Sequence, residues 1–350
     1  MSSISNARSA SGAAMIPPNT RAPLVHGGDL DAARILFPGA PEPFIDLSTG
    51  INPHPYPIPT LEPEIFARLP EPGSLGNLAR LAASAYGAPS AETVVTAPGS
   101  QVLVTLAAGL LLPGRAVILG LTYAEHARAA SLAGHEVYTV SELEPLGDSD
   151  LAIVVNPNNP DGRILNHAEL LAIAERQRAH GGMLIVDEAF MDAGPRHESL
   201  SAHVEAANVV VLRSFGKFFG LAGLRLSFAL AARPLAAHLG AALGPWPVSG
   251  AALAIGAAAL SDRNWMEATR ASLAAAAQRL DALLEGAGLE IIGGTSLFSL
   301  VRTPEAPPLF DHLGRAGIFV RRFPEDPSWL RFGPPGAEAD WQRLEDALRR

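Results

Sequence analysis

Val209-Val210-Val211-Leu212-Arg213 runs straight into Ser214-Phe215-Gly216-Lys217-Phe218-Phe219-Gly220-Leu221-Ala222-Gly223-Leu224-Arg225. The first segment is an aliphatic run of the kind that forms a buried strand. The second sets one lysine among three glycines and three phenylalanines. Glycine lets the backbone approach a ligand closely. Apolar neighbours desolvate the amine and favour its neutral, nucleophilic form, which Schiff-base formation with an aldehyde requires. Ser214 and Arg225 flank the lysine and offer a hydroxyl and a cation to one phosphate. Taken alone, the same stretch also reads as a surface lysine in a glycine loop.

Outward from this point the chain alternates two textures. Thr93–Ala97, Ala116–Leu119, Leu151–Val155, Met183–Val186, Val209–Arg213 and Leu224–Leu230 read as buried strands. Gln101–Leu112, Ala124–Ala133 and His167–His180 read as helices between them. Strand and helix in turn indicate an α/β domain with a mostly parallel sheet. Beyond about residue 235 alanine-rich helices dominate, at Ala251–Leu260 and Trp265–Ala287. The strands Glu290–Ile292, Leu297–Val301, Ile318–Arg321 and Trp329–Phe332 follow, with helices at Leu309–Ala316 and Ala337–Leu348, as in a smaller α+β domain. Proline clusters at Pro53–Pro63 and Pro304–Pro308 mark loops. The expected division is a disordered tail over 1–22, an arm over 23–45 packing with the small domain, a large α/β domain over 46–235 and a C-terminal domain over 236–350.

Three further segments carry chemistry. Met183-Leu184-Ile185-Val186-Asp187-Glu188 delivers two acids at the carboxyl end of a strand, where open α/β sheets bind ligands. Such an acid pairs with a protonated ring nitrogen, holds a metal, or is simply solvated. Asn156-Pro157-Asn158-Asn159-Pro160-Asp161-Gly162 is a tight turn after a strand, and a rigid amide there can donate to a ring oxygen. Ala97-Pro98-Gly99-Ser100-Gln101 joins a strand to a helix, and exposed amides at a helix start make an anion site. Ser100 as a plain N-cap is compatible with that role.

Composition narrows the classes. The 350 residues are 48% hydrophobic and carry a net charge of −9, with no basic stripe to suit a nucleic-acid partner. There are no cysteines, which excludes disulfides, thiolate chemistry and cysteine-ligated metals and suits a cytoplasmic location. The most apolar stretches, Leu103–Leu112 and Ala251–Leu260, fall short of the ~20 residues of a membrane span. No metal site is expected.

Read in this order, the motifs resemble the fold-type I pyridoxal-5′-phosphate (PLP) enzymes of the class I/II aminotransferase group, from about His26 to Leu348. The resemblance implies a large domain with a mostly parallel sheet, a smaller C-terminal α+β domain and a homodimer. It implies that Lys217 bonds the cofactor, that Asp187 pairs with its ring nitrogen and that Tyr123 stacks on the ring, the three counted as catalytic. Asn159 would reach the ring oxygen. Gly99, Ser100, Gln101, Ser214 and Arg225 would hold the cofactor phosphate. Arg331, in Trp329-Leu330-Arg331-Phe332-Gly333, would take a substrate carboxylate.

Within that group His26-Gly27-Gly28-Asp29, Asp46-Leu47-Ser48-Thr49-Gly50-Ile51-Asn52-Pro53 and Leu330-Arg331-Phe332-Gly333 look like the threonine-phosphate decarboxylases of cobalamin biosynthesis. The likeness makes His26, Gly27, Asn52, Asn159, Arg321 and Arg331 candidates for a phosphorylated amino-acid substrate. It implies decarboxylation of L-threonine O-3-phosphate to (R)-1-aminopropan-2-yl phosphate. An aminotransferase of the histidinol-phosphate type and a non-catalytic PLP-binding scaffold are the alternatives. Two positions depart from the group: Phe190 stands where many relatives have tyrosine, and Arg68-Leu69-Pro70 stands where they often have Arg-Tyr-Pro.

Overall fold

The computed structural model describes residues 26–349 and the dipeptide Ala14–Met15. One sheet contains β1 (Ala14–Met15), β2 (Val94–Ala97), β3 (Arg115–Leu119), β4 (Glu136–Val140), β5 (Leu151–Val155), β6 (Met183–Asp187), β7 (Val209–Ser214) and β8 (Ser227–Leu230). Their spatial order is β1-β4-β3-β5-β6-β7-β8-β2. The run β4-β3-β5-β6-β7 is parallel. Strand β8 is antiparallel to both β7 and β2, so β2 points the same way as the parallel strands. The carboxyl ends of β2, β3, β5, β6 and β7 therefore share one edge of the sheet.

The near-continuous apolar strands follow from burial on both faces. Successive residues alternate between two cores: Val154, Val186 and Val211 pack on one face, Ile153, Ile185 and Val210 on the other. Helix α1 (Ser100–Ala108) covers the second face through Leu103, Val104 and Ala107. Helix α2 (Glu125–Leu132) lies beside it and adds Ala129 and Ala130. The short helix α3 (Phe215–Phe218) leaves β7 without a connecting loop.

A second sheet comprises β9 (Glu290–Thr295), β10 (Phe298–Arg302), β11 (Arg321–Arg322) and β12 (Trp329–Phe332), antiparallel in the order β9-β10-β12-β11. Its core joins Val301 and Leu330 to Leu309, Leu313 and Trp341, and also to Ala33, Phe37 and Leu47 from the N-terminal segment.

Four expectations change. The boundary at 235/236 does not follow the packing, because Ala236, Leu239, Ala252, Leu253 and Ala259 all belong to the cores of the large sheet. The chain crosses instead along helix α4 (Arg263–Gly286), whose Met266 and Leu273 sit in a large-sheet core and whose Leu280 and Leu284 sit in the small one. The strand expected over Leu224–Leu230 starts only at Ser227, since Arg225 has φ +54°, a left-handed backbone that a strand cannot hold. The strand expected over Ile318–Arg321 is divided: Ile318–Phe319 pairs in parallel with Ile45–Asp46, and Arg321 pairs with β12. Pro307 and Pro308 lie in the first turn of a helix over Ala306–Arg315, where the missing N–H costs nothing, and not in a loop. The tail expected over 1–22 lies outside the described residues except for Ala14–Met15, which pair with Thr139 and Tyr138.

Candidate active site

Five loops leave the shared sheet edge into one cavity of about 510 Å³. From β2 come Gly99, Ser100 and Gln101; from β3, Thr122 and Tyr123; from β5, Asn159. Strand β6 ends in Asp187, and β7 continues through Ser214 to Lys217. Arg225 enters from the turn before β8. The small sheet contributes Arg321 and Arg331, and the N-terminal segment contributes His26, Gly27, Ser48 and Thr49. Every site residue named from the sequence except Asn52 lines this cavity.

Asn52 is 2% exposed, and both ends of its amide have partners outside the cavity. Its Nδ2 donates to the Phe218 carbonyl at 2.9 Å, and its Oδ1 accepts from the His54 N–H at 2.9 Å. The Asn52 backbone N–H donates to the Lys217 carbonyl at 2.9 Å. Asn52 thus fixes the lysine-bearing helix from behind, and the substrate role expected of it is not supported by its position.

Lys217 is half-buried, and desolvation is the main cause that lowers its amine to about 8; the Arg331 cation lowers it further, while Asp187 opposes the shift. Its Nζ stands 5.7 Å from the centre of the Phe190 ring. This is the environment a nucleophilic amine needs near neutral pH.

Asp187 is 5% exposed. Its Oδ1 accepts the Ala189 N–H at 3.0 Å, and its Oδ2 lies 2.9 Å from His126 Nε2. His126, 1% exposed, is a residue that sequence reasoning missed. The available signal was its spacing: three residues after Tyr123, at a helix start, it falls on the same face. The two rings meet edge-on with centroids 5.9 Å apart. The Tyr123 hydroxyl is pushed up to about 12, first by burial and then by the Glu125 and Asp187 carboxylates. It donates to Gln101 Oε1 at 3.3 Å.

Opposite this wall, Arg331 is 6% exposed. It donates from Nη1 to Asn159 Oδ1 and from Nη2 to the Ser48 carbonyl at 3.0 Å. Its Nε is buried without a hydrogen-bond partner among the described residues. Burial, followed by the Arg321 cation, lowers its affinity for its own proton. An anionic guest relieves both effects. Arg321 faces Arg331 directly across the β11–β12 ladder.

The start of α1 has its own steric signature. Gly99 has φ +97°, and a Cβ placed on it would fall 2.4 Å from Arg225 Nη2. Only glycine lets the arginine lie against the start of α1, where backbone amides and a cation converge. The donor set therefore fits an aldehyde-bearing, phosphorylated pyridine: an amine with a lowered pKa, an oriented acid, a stacking phenol and an anion cradle, with a separate arginine for a carboxylate.

Residues 61–350 match the family described as aminotransferase class I and II. The chain is 46% identical over 333 residues to a threonine-phosphate decarboxylase of Sinorhizobium sp., covering 94% of this chain and 98% of that protein. It is 44% identical over 328 residues to the threonine-phosphate decarboxylase of Pseudomonas aeruginosa, covering 93% and 97%. Among solved structures, the histidinol-phosphate aminotransferase of Sinorhizobium meliloti in complex with pyridoxal-5′-phosphate aligns with a TM-score of 0.78 at 20% identity, over 95% of each chain. At that identity the last likeness speaks for the fold.

Proposed function

We propose that this chain, which belongs to the aminotransferase class I and II family, is a PLP-dependent lyase that converts L-threonine O-3-phosphate to (R)-1-aminopropan-2-yl phosphate and CO₂. The observation that carries the reading is the pairing of Arg321 with Arg331 across one ladder, in the cavity that holds Lys217 and Asp187. Two cations on adjacent strands suit a small guest with two anionic groups, a carboxylate and a phosphate. The two relatives named as threonine-phosphate decarboxylases, each matched over nearly its whole length, support the same substrate.

When bound, PLP supplies an electron sink for the pair left on Cα as a substituent departs. The residues divide the remaining work. Asp187, oriented by His126, would hold a proton on the ring nitrogen. Gly99, Ser100, Gln101, Ser214 and Arg225 would hold the cofactor phosphate, Tyr123 one ring face and Asn159 the ring oxygen. Arg331 would bind the substrate carboxylate, with His26, Gly27 and Arg321 toward its phosphate. Lys217 Nζ would return a proton to Cα once the carboxylate has left as CO₂.

On this reading the protein acts in the cytoplasm as a homodimer and feeds the aminopropanol arm of cobalamin biosynthesis. Among the described residues no helix is long and apolar enough to cross a membrane. Exposed Phe66 and Leu69 offer apolar surface to a second copy.

The test is CO₂ release from L-threonine O-3-phosphate with no keto acid present. Steady release supports the lyase. Turnover only after a 2-oxo acid is added indicates an aminotransferase, and cofactor binding without turnover on any amino acid indicates a scaffold.

A further inference from the structure

We propose that Glu125 is the positioning residue that makes the pocket selective for a phosphorylated substrate, acting through His26. The inference rests on the proposed substrate and extends it to a residue outside the cavity lining. Glu125 begins α2, and its side chain is 10% exposed. Its Oε1 lies 3.0 Å from His26 Nε2, and its Oε2 accepts from Gln101 Nε2 at 3.0 Å. Arg128 Nη1 stands 3.8 Å from Oε1. His26 and Gln101 line the cavity, whereas Glu125 stands behind them.

A bare carboxylate at this place would repel a phosphate. Here both its oxygens are covered, and its influence reaches the cavity through the imidazole. With Nε2 directed at Glu125, a neutral ring presents Nδ1 as a lone pair, which repels an anion. The imidazolium presents Nδ1–H, which attracts one. A phosphate is therefore met by the ring that presents Nδ1–H, whose other nitrogen is held by the carboxylate behind. The same carboxylate fixes the Gln101 amide so that its Oε1 faces the Tyr123 hydroxyl. An amino acid without a phosphate gains nothing from this arrangement.

The experiment compares L-threonine O-3-phosphate with L-threonine on PLP-loaded protein. Their dissociation constants are read from the initial absorbance change of the bound cofactor on mixing, which needs no turnover. Glu125→Gln is expected to weaken the phosphorylated ligand at least ~10-fold and L-threonine by no more than ~2-fold. Glu125→Asp, which keeps the charge, recovers most of the loss. In a His26→Ala background Glu125→Gln has no further effect, because the two residues act as one unit. Equal weakening of both ligands, an aspartate variant no better than the glutamine variant, or an undiminished Glu125→Gln effect without His26 overturns the proposal. If wild type releases no CO₂ yet shows the expected ligand preference, the proposed reaction fails and the role of Glu125 stands.

Discussion

His126 Nε2 lies 2.9 Å from Oδ2 of Asp187, with both side chains almost wholly shielded from water. The carboxylate's other oxygen is held by the Ala189 N–H. The acid that would face the cofactor ring therefore has one orientation and a partner able to share its proton. His126→Asn is expected to retain PLP but to lower kcat about 10- to 100-fold, the range of one lost charge-assisted hydrogen bond. Steady-state CO₂ release measures it, with cofactor content by absorbance as control. Unchanged kcat in a fully loaded variant refutes the role.

Lys217 also controls the pH response of the cofactor-free protein. Its folded-state amine lies at about 8, chiefly through desolvation, against an ordinary lysine value of 10.5. Between these values the unfolded chain binds the extra proton, so stability rises with pH across this window. Below about 8 the half-buried charge costs an amount on the order of 3 kcal/mol. Cofactor-free Lys217→Met should be more stable than wild type at pH 7, with the advantage fading by pH 10. Urea unfolding at both pH values measures the difference, and a pH-independent difference contradicts it.

Phe190 lines the cavity with an apolar ring and brings no hydroxyl donor to it. Its ring meets Phe298 at 5.1 Å, edge-on, and closes the wall beside Lys217. Phe190→Tyr should lower the pH at which the cofactor–lysine linkage loses its proton, because the new donor stabilises an anionic oxygen. A spectrophotometric titration of both proteins reads the midpoint, and an unmoved midpoint refutes the idea.

Behind the site, Arg213 donates to Glu188 Oε2 at 2.7 Å and to Asp192 Oδ1 at 2.5 Å, with all three side chains buried. Glu188 follows Asp187 and Arg213 precedes Ser214, so the ion group clamps two strand ends that carry site residues. Arg213→Met leaves two buried carboxylates without their cation and should cost about 3–5 kcal/mol. Replacing all three residues with apolar ones of similar volume should recover most of that loss. Denaturant unfolding tests both statements, and a single variant as stable as wild type contradicts the first.

How much was legible in the sequence follows from what each residue depends on. The Lys217 segment, the strand-end Asp187, the Asn159 turn and the Gly99-Ser100-Gln101 start of α1 announced themselves, because strand periodicity, turn chemistry and helix starts are local properties. They also implied one ligand-binding edge, since parallel strands deliver their carboxyl ends together. His126 carried no local sign beyond helical spacing from Tyr123, Glu125 carried none, and Asn52 carried a misleading one. Its amide is spent on the short helix that holds Lys217, a contact 166 residues away.

By itself the sequence determined most of the central strands, the α/β class and the chemistry of the cofactor-facing residues, each written within a few neighbouring positions. Only the tertiary structure decided that Arg331 meets Asn159 across 172 residues, that Arg321 lies directly opposite Arg331, and that a glutamate stands behind His26. It also carried the boundary between the two units into the middle of helix α4. The reason is physical: hydrophobic period and turn residues encode local conformation. Pairing between distant polar groups is settled by the packing of the two sheets, which no short window of sequence contains.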